Sequence, residues 1–250
     1  MQNPLVCRNP LYNQIRLILL DEIRRGVWTA GEKLPTEAAL AQRFGTSVGT
    51  VRRAVSGLED EGIITRKEGS GTFVRSHRET GSWNQFHLFT DLDGKPRGSR
   101  KELVSIKTVV APDFVADAMK IAQKTPLLLM VRKLWGTIDG REKLITVDES
   151  YLLPERFAEL TSEYFEQHFL ADDSLYKFYD REFGVVIIRQ KCKVKFERVR
   201  AETAERLGIE KHAEVLRTER LSFDITRQAI EYRINRGYVD CTQVSFDVLG

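Results

Sequence analysis

The sequence contains few cysteines and few histidines, and this scarcity narrows the kinds of site that it can hold. The three cysteines, Cys7, Cys192 and Cys241, lie far apart and form no Cys-x-x-Cys pair. They predict neither a disulfide framework nor a zinc site. The four histidines lack the i, i+4 spacing that places two ligands on one helix face. We therefore expect no metal and no cofactor.

The sequence also lacks long apolar runs. No run approaches the roughly 20 residues that a membrane-spanning helix needs, and residues 1–8 lack the basic start and apolar stretch of a secretory signal. These absences lead us to expect a cytoplasmic protein without a membrane partner. The composition, 42% hydrophobic and 30% charged over 250 residues, is that of an ordinary globular chain with room for two domains.

The basic residues are concentrated in the first part of the chain. Residues 1–78 contain 12 Lys and Arg against 8 Asp and Glu, whereas residues 79–250 contain 27 against 28. A basic excess of this size fits a polyanionic partner such as nucleic acid, although many domains without such a partner carry as much. The motifs and their geometry therefore have to decide the function.

Apolar periodicity predicts three helices in this basic part. The first begins at Leu11 and ends before Gly26, and the second covers 37–44 behind the N-cap Thr36. The third begins behind a second N-cap, Ser47. Two short helices joined by a turn that contains glycine form a helix-turn-helix.

Two short strands are predicted after the third helix, at 63–67 and 72–75, around a glycine-rich tip that forms a wing. The third helix is expected to lie in the major groove, with the residues of its N-terminal part at the base edges. Arg53 could equally pair with a surface carboxylate, and a plain hairpin would need glycine as well. The candidate DNA contacts are Ser47, Thr50, Arg52, Arg53, Gly69 and Gly71.

Three segments carry a resemblance to a known family: GEKLPTE at 31–37, TVR at 50–52 and GSGTFV at 69–74. In order and spacing they resemble the GntR family of winged-helix regulators. The resemblance implies a dimer that binds a short palindromic operator in double-stranded DNA. It also implies that the third helix, the start of the second helix and the wing contact this DNA. It adds Thr36 and Ser70 to the candidate contacts.

Two positions depart from the family pattern. Ala38 and Val48 stand where the family usually has arginine. An arginine that makes a bidentate contact with guanine contributes about 1–3 kcal/mol of discrimination. The resemblance therefore leaves the operator sequence of this chain open.

The polar segment of residues 77–98 is interpreted as a linker between domains of residues 1–76 and 99–250, because glycine and proline interrupt it. The second domain is predicted to be α+β, with a mostly antiparallel sheet. Apolar-rich segments predict six strands, at 103–110, 127–135, 144–152, 185–199, 215–224 and 230–239. Helices are predicted at 113–121, 157–163, 174–183 and 201–207.

A second resemblance is spread along this part of the chain. It rests on APDFVA at 111–116, ESYLLP at 149–154, DSLY at 173–176 and AERLG at 204–208. In this order the segments resemble the UTRA ligand-sensing domain of the HutC subfamily, whose fold is similar to that of chorismate lyase. The resemblance implies a pocket for a small, anionic effector and a domain through which two chains form a homodimer.

The same resemblance implies a set of effector-binding positions. Their cationic side chains would bind a carboxylate or phosphate of the effector, and their carboxylate would bind its hydroxyls. These positions are Arg132 or Lys133, Ser174, Tyr176, Arg189, Glu231 and Tyr238. Three of them have simpler readings, since Ser174 could be only an N-cap, Arg189 could face water and Glu231 could pair with Arg233 across strands. The alternating lysines at 191, 193 and 195 fit the solvent face of a strand, and we assign them no ligand.

Together these features predict a DNA-binding transcription regulator that acts as a repressor. A small effector is expected to modulate its binding to the operator. One alternative is a lyase-like enzyme domain fused to a DNA-binding module, but no Ser/His/Asp, Cys/His or paired-acid motif supports catalysis. We therefore predict no catalytic residue. A second alternative, an architectural DNA-binding protein without an effector, leaves the large second domain without a role.

Overall fold

The computed structural model of the chain describes residues 10–76, 89–90, 100–138, 140–171, 173–240 and 242–244. The chain divides into two compact units, Met1–Arg78 and Glu79–Gly250. Within the described residues, no helix has both the length and the apolar character needed to cross a membrane.

The first unit is a three-helix domain with a two-stranded wing. Both predicted N-caps are confirmed: Thr36 Oγ1 accepts a hydrogen bond from the Ala39 amide at 3.2 Å, and Ser47 Oγ accepts one from the Thr50 amide at 3.2 Å. The elements are α1 (Leu11–Arg24), α2 (Glu37–Arg43), α3 (Val48–Asp60), β1 (Ile64–Lys67) and β2 (Gly71–Val74).

One apolar stripe holds α3 against the rest of this unit. Val51, Ala54, Val55 and Leu58 are almost completely buried, as their spacing predicts. They pack in a core that also contains Ile15 and Leu19 of α1 and Leu40 of α2. Because this stripe faces inward, the opposite side of α3 is exposed at Gly49, Arg52, Arg53 and Asp60 and partly exposed at Ser56.

The second unit is built on a six-stranded antiparallel sheet in the order β4-β5-β6-β9-β8-β7. All six predicted strands are present, and the expected α+β class is confirmed. The strands are β3 (Phe89–Thr90), β4 (Arg100–Val110), β5 (Pro126–Ile138), β6 (Arg141–Leu152), β7 (Ile187–Arg198), β8 (Glu214–Asp224), β9 (Ala229–Tyr238) and β10 (Gln243–Val244). The helices are α4 (Asp113–Met119), α5 (Ser162–His168), α6 (Leu175–Phe183) and α7 (Ala201–Leu207).

A short strand falls inside the predicted linker. Phe89–Thr90 pairs antiparallel with Gln243–Val244, which lies near the other end of the second unit's sequence. The rest of the predicted linker, 77–88 and 91–98, lies outside the described residues. At least this two-residue segment therefore belongs to the fold of the second unit.

The helix predicted at 157–163 is wrong. The chain instead makes two successive four-residue turns, in which the Phe157 amide donates to Pro154 O at 3.1 Å and the Leu160 amide donates to Phe157 O at 3.0 Å. Both Phe157 and Leu160 are buried, so their spacing of three resembles a helical stripe. The helix starts only at Ser162, where the side chain of Thr161 accepts a hydrogen bond from the Tyr164 amide.

Aromatic rings pack α5 and α6 together. The Phe157 and Tyr179 rings meet edge to face with centroids 4.8 Å apart, and Phe165 and Phe178 do the same at 5.1 Å. These residues belong to the hydrophobic core that also includes residues of β5, β6 and β9. The packing fixes α6 and, with it, the side chains of Tyr176 and Tyr179.

The corrected start of α5 leads to a stability prediction. Thr161→Ala removes the N-cap and should lower the free energy of unfolding by about 1 kcal/mol, as measured by urea unfolding followed by circular dichroism. Glu159→Ala is the control, because this exposed residue precedes the helix and its loss should cost less than about 0.5 kcal/mol. A larger loss for Glu159→Ala than for Thr161→Ala would contradict the corrected start.

Candidate functional site

The exposed side of α3 begins with small polar groups. Ser47 Oγ lies 2.9 Å from Thr50 Oγ1, so the two predicted contacts share a hydrogen bond at the N-terminus of the helix. Val48, at the first position of α3, is 40% exposed, and Ala38 in α2 is also exposed. The surface around this helix end therefore presents amides, hydroxyls and methyl groups.

Arg52 projects from the next turn, and its side chain is 63% exposed. Its Nε donates to Glu37 Oε2 at 2.8 Å, and the other oxygen of Glu37 accepts from Arg66 Nη2 of β1 at 3.1 Å. Arg66 Nη1 also pairs with Glu59 Oε2 at 3.2 Å. The sequence analysis missed this contribution of Glu37 and Arg66, because the partners of Glu37 lie 15 and 29 positions away.

Arg53 contacts an aromatic ring, whereas the sequence had suggested a surface carboxylate as one possible partner. Its guanidinium lies over the ring of Tyr12, with the carbon 4.2 Å from the ring centroid. A cation over an aromatic face is attracted by the negative charge density of the ring. Arg53 therefore lies against the α1 side of the domain.

The wing tip has two glycines, and a side chain would be disfavoured at each for a different physical reason. Gly69 has a φ of 68° and no atom within 4 Å of the place where a Cβ would stand, so its backbone can be approached closely. Gly71 has a φ of 123°, and a Cβ there would lie 2.6 Å from Cε of Lys33. Between them, the Ser70 amide donates to Lys67 O at 2.9 Å and closes the turn.

In the second unit, the side of the sheet that α6 covers carries buried charged side chains, and we call it the arginine face. Arg132 of β5 pairs with Asp148 of β6, which pairs with Asn235 of β9, so the three share one face. Arg132 Nη2 lies 2.7 Å from Asp148 Oδ2, and the Asn235 side-chain amide donates to Asp148 Oδ1. All three side chains are largely or fully buried.

Glu231 forms the centre of a second buried cluster on the arginine face. Tyr179 OH donates to its Oε1 at 3.1 Å, and Ser222 Oγ donates to its Oε2 at 2.9 Å. Tyr176 OH reaches the same Oε2 at 3.3 Å. The Arg233 guanidinium forms an ion pair with Oε1, and neither member of the pair is more than 5% exposed.

Burial and charge oppose each other in this cluster. Burial favours the neutral form of Glu231, but Arg233, Arg220 and the Ser222 hydroxyl together outweigh it and lower the pKa of the carboxyl below its usual value. Burial likewise disfavours the charged form of Arg233, yet Glu231 raises the pKa of this guanidinium. Burial and then the Glu231 charge raise the pKa of Tyr179, so its hydroxyl stays protonated as a donor.

The arginine face also contains buried polar atoms without a hydrogen-bond partner. They include Arg132 Nε on β5, Ser150 Oγ on β6 and Asn235 Oδ1 on β9. The three residues lie on adjacent strands of one face, since Ser150 pairs with Arg233 one row away from the Arg132 row. Buried polar atoms normally find a partner, so these donors and acceptors are available to a bound molecule.

The predicted effector residues fall into two groups. Arg132, Tyr176 and Glu231 lie together on the arginine face. The other predicted positions have contacts elsewhere. Lys133 Nζ donates to Gly208 O at 3.2 Å, Ser174 caps α6, Arg189 is exposed over the Phe223 ring, and the hydroxyl of Tyr238 accepts from the Glu210 amide at 3.3 Å.

Strand geometry explains this division. Adjacent residues of a strand point to opposite faces, so Lys133 lies across the sheet from Arg132. Tyr238 pairs with Val215 and lies on the same opposite face. The N-cap reading of Ser174 is confirmed, because its Oγ accepts from the Lys177 amide at 3.1 Å.

Several members of the arginine face were missed in the sequence analysis. A signal for some of them was present, because Glu231, Arg233 and Asn235 alternate with Ile230, Tyr232 and Ile234. Asp148 and Ser150 give no such signal, because Glu149 stands between them. The residues that complete the face are Asp148, Ser150, Tyr179, Gln190, Arg220, Ser222, Arg233 and Asn235.

The three alternating lysines lie on the opposite face, where they are exposed as predicted. Together with Arg217, Glu219 and residues of α4 they line an open groove of about 710 Å³. Lys195 Nζ pairs with Glu219 Oε1 at 3.2 Å, and Arg217 pairs with the same oxygen at 2.7 Å. Local carboxylates therefore balance part of the basic charge of this groove.

Comparison with known families assigns both units. Residues 11–74 match the bacterial regulatory proteins of the gntR family, and residues 96–240 match the UTRA domain. The chain belongs to the GntR family. A GntR helix-turn-helix followed by a UTRA domain is the arrangement of the HutC subfamily, so both resemblances drawn from the sequence are confirmed.

Two relatives place this GntR protein among regulators, and one solved structure shares the fold of its second unit. It is 33% identical to the uncharacterized HTH-type transcriptional regulator YurK of Bacillus subtilis, over 51% of this chain and 53% of YurK. It is 26% identical to the "Probable fructoselysine utilization operon transcriptional repressor" of Shigella flexneri, over 86% of this chain and 84% of that protein. The ligand-binding domain of a GntR-family regulator from Bordetella bronchiseptica shares the fold, with a TM-score of 0.55 and 20% identity over 65% of this chain and 96% of that chain.

These findings establish the function at the level of the family. The GntR protein is a DNA-binding transcription regulator with a ligand-binding UTRA domain that modulates it. The relatives are named as regulators, in agreement with the expectation that the chain is not an enzyme.

The buried Glu231 leads to a pH prediction for this GntR protein. Because the native pKa of Glu231 lies below its usual 4.5, its charged form contributes stability above that pH, and this contribution is lost as pH falls through the native pKa. Glu231→Gln should cost about 3–5 kcal/mol near neutral pH, because it leaves Arg233 buried without its counter-ion.

The measurement is urea unfolding of both proteins at about pH 7, 4.5 and 3, because the contribution changes only below the usual pKa of the carboxyl. The difference in free energy of unfolding between wild type and Glu231→Gln should shrink at the acid end of this range and below. The exposed Glu155→Gln serves as the control and should change little. A difference that stays constant as the pH falls would show that the Glu231 charge does not contribute in this way.

Proposed function

We propose that the chain is a homodimeric repressor. A small, polar, anionic effector that binds at the arginine face would modulate the binding of the repressor to its operator. The observation that carries this proposal is the set of charged residues buried there. Burying charges costs more than burying apolar groups of the same size, so such a cluster contributes little stability. We infer that these buried charges serve the binding of a polar molecule.

The charge balance of the arginine face favours an anion. Arg132, Arg220 and Arg233 are buried on it, against the carboxylates of Asp148 and Glu231. The excess of one positive charge suits a carboxylate or phosphate, which guanidinium groups bind through paired hydrogen bonds. The carboxylates and the Asn235 Oδ1 atom would accept hydrogen bonds from hydroxyls or an amino group.

The relatives support a sugar-derived effector and repression. The Shigella flexneri relative is named for fructoselysine utilization, and fructoselysine joins a sugar to an amino acid. Such a molecule contains the hydroxyl, amino and carboxylate groups that the arginine face would bind. We carry over the chemistry of the molecule and the repressor role, and leave the identity of the effector to experiment.

The DNA contacts are proposed on the exposed surface of α3 and the wing. Thr36, Ser47 and Thr50 would use the amides and hydroxyls at two helix N-termini to hold phosphates. Arg52 would read a base edge in the major groove, and Arg53 would bind phosphate beside Tyr12. Gly69, Ser70 and Gly71 would bring the wing backbone close to the DNA.

A second copy of the chain is proposed to dock on β7. This strand is an edge of the sheet, so its outer backbone groups can pair with another strand. Phe196 is 80% exposed and Val194 is 45% exposed, and both point to the same side of the strand. Two chains would present two winged units to half-sites about one helical turn, roughly 34–36 Å, apart. We also propose that the protein acts in the cytoplasm and has no catalytic role.

The DNA proposal is tested by selecting bound sequences from a random duplex library at fixed salt. We expect a palindrome, and Arg52→Ala should lower the affinity for it by about 1–3 kcal/mol. Arg25→Ala is a control with the same loss of charge, since Arg25 lies at the C-terminal end of α1 and contacts Asp21. Enrichment of single half-sites would contradict the dimer, and equal losses for the two variants would contradict a base contact of Arg52.

The effector proposal is tested with Ser150→Ala in a thermal-shift screen of small carboxylates and sugar phosphates. This variant removes a buried unpaired hydroxyl, so its stability should stay the same or rise. Its affinity for a hit should fall roughly tenfold, the effect of one neutral hydrogen bond. Lys133→Ala on the opposite face should leave that affinity unchanged, and a hit that leaves operator affinity unchanged would contradict the regulatory role.

A further inference from the structure

Glu37 occupies an unusual place for an acidic residue, because it lies among the proposed DNA contacts. Its side chain is 23% exposed, and each of its two oxygens is bound to a different arginine. We propose that Glu37 is a positioning residue that holds Arg52 for base reading and thereby sets operator specificity. This inference rests on the proposed contact between Arg52 and a base.

The contact with Arg52 leaves the reading edge of the guanidinium available. Glu37 Oε2 accepts from Nε of Arg52, and the described contacts of Arg52 do not engage its two terminal nitrogens. A bidentate contact with guanine needs two parallel N–H groups, and the Nη1 and Nη2 pair provides them. Glu37 therefore holds the side of the guanidinium that faces the protein.

Glu37 is itself held from several sides. It is the first residue of α2, directly after the N-cap Thr36. Its second oxygen accepts from Arg66, which also contacts Glu59 at 3.2 Å and Ser56 Oγ at 3.3 Å. The network thus joins α2, α3 and the first strand of the wing. An arginine held in this way has lost part of its rotamer freedom before DNA arrives, which favours a specific contact.

The negative charge of Glu37 has a second consequence. The cluster of Arg52, Arg66, Glu37 and Glu59 carries no net charge, although it lies where phosphates would approach. Non-specific binding depends on cations that replace the counter-ions of the phosphates. Glu37 therefore weakens non-specific binding while it strengthens the specific contact, and both effects raise the ratio of the two affinities.

Glu37→Gln separates positioning from simple support of the fold. The operator selected above should bind this variant about tenfold more weakly, within the range for one bidentate base contact. A non-specific duplex should bind equally well or severalfold more tightly, because a negative charge is gone. A purely structural defect would weaken both complexes together. Glu59→Gln is the matched control, since it frees Arg66 without touching Arg52, and it should keep the affinity ratio within about twofold.

Two further comparisons complete the test. In an Arg52→Ala background, Glu37→Gln should cause no additional loss of operator affinity, because the group that it positions is absent. An unchanged affinity ratio in Glu37→Gln, or an equal fall in Glu59→Gln, overturns the inference. If Arg52→Ala lowers operator affinity while Glu37→Gln does not, only the positioning role fails. If Arg52→Ala has no effect, the proposed base contact fails as well.

Discussion

The second unit depends on how it accommodates a buried ion pair in the middle of its sheet. Glu231 and Arg233 lie two residues apart on β9, so both side chains point to the arginine face. Tyr176, Tyr179 and Ser222 supply the hydrogen bonds that make the burial of the carboxylate tolerable. Helix α6 must therefore stay in place for the sheet to hold these charges. The aromatic packing of α5 and α6 becomes part of the chemistry of the site.

The first unit also contains a pair of a glutamate and an arginine, but this pair lies at the surface and is not buried. Arg52 and Glu37 meet at the surface, where water screens the attraction and an ion pair contributes little stability. Their contact therefore has more effect on the orientation of the guanidinium than on folding. In both units a carboxylate fixes an arginine before a partner arrives. In the buried pair, the Glu231 carboxylate also neutralises the charge of Arg233. In the exposed pair, the Glu37 carboxylate mainly orients the guanidinium of Arg52.

The sequence predicts elements better than it predicts which side chains meet. The stripe of α3 and the six strands follow from periodicity, since burial repeats with the period of the element. The turns at Phe157 and Leu160 imitate a helix because two successive turns share its spacing. The choice between Arg132 and Lys133 could not be made, because a shift of one residue exchanges the faces and only pairing with Asp148 fixes the register. The Glu37 contact required the tertiary fold.

The missing family arginines change what the recognition surface can read. Val48 opens α3 with an exposed apolar side chain, and apolar groups contact the methyl of thymine whereas arginine contacts guanine. Since Ala38 offers no charge and Arg53 lies over Tyr12, the proposed base reading by a cation would fall mainly to Arg52. A surface with a single reading arginine gains more from holding that arginine rigidly than a surface with several. Under the proposed base reading, the carboxylate of Glu37 therefore matters more in a chain with Ala38 and Val48 than in one with arginine at both positions.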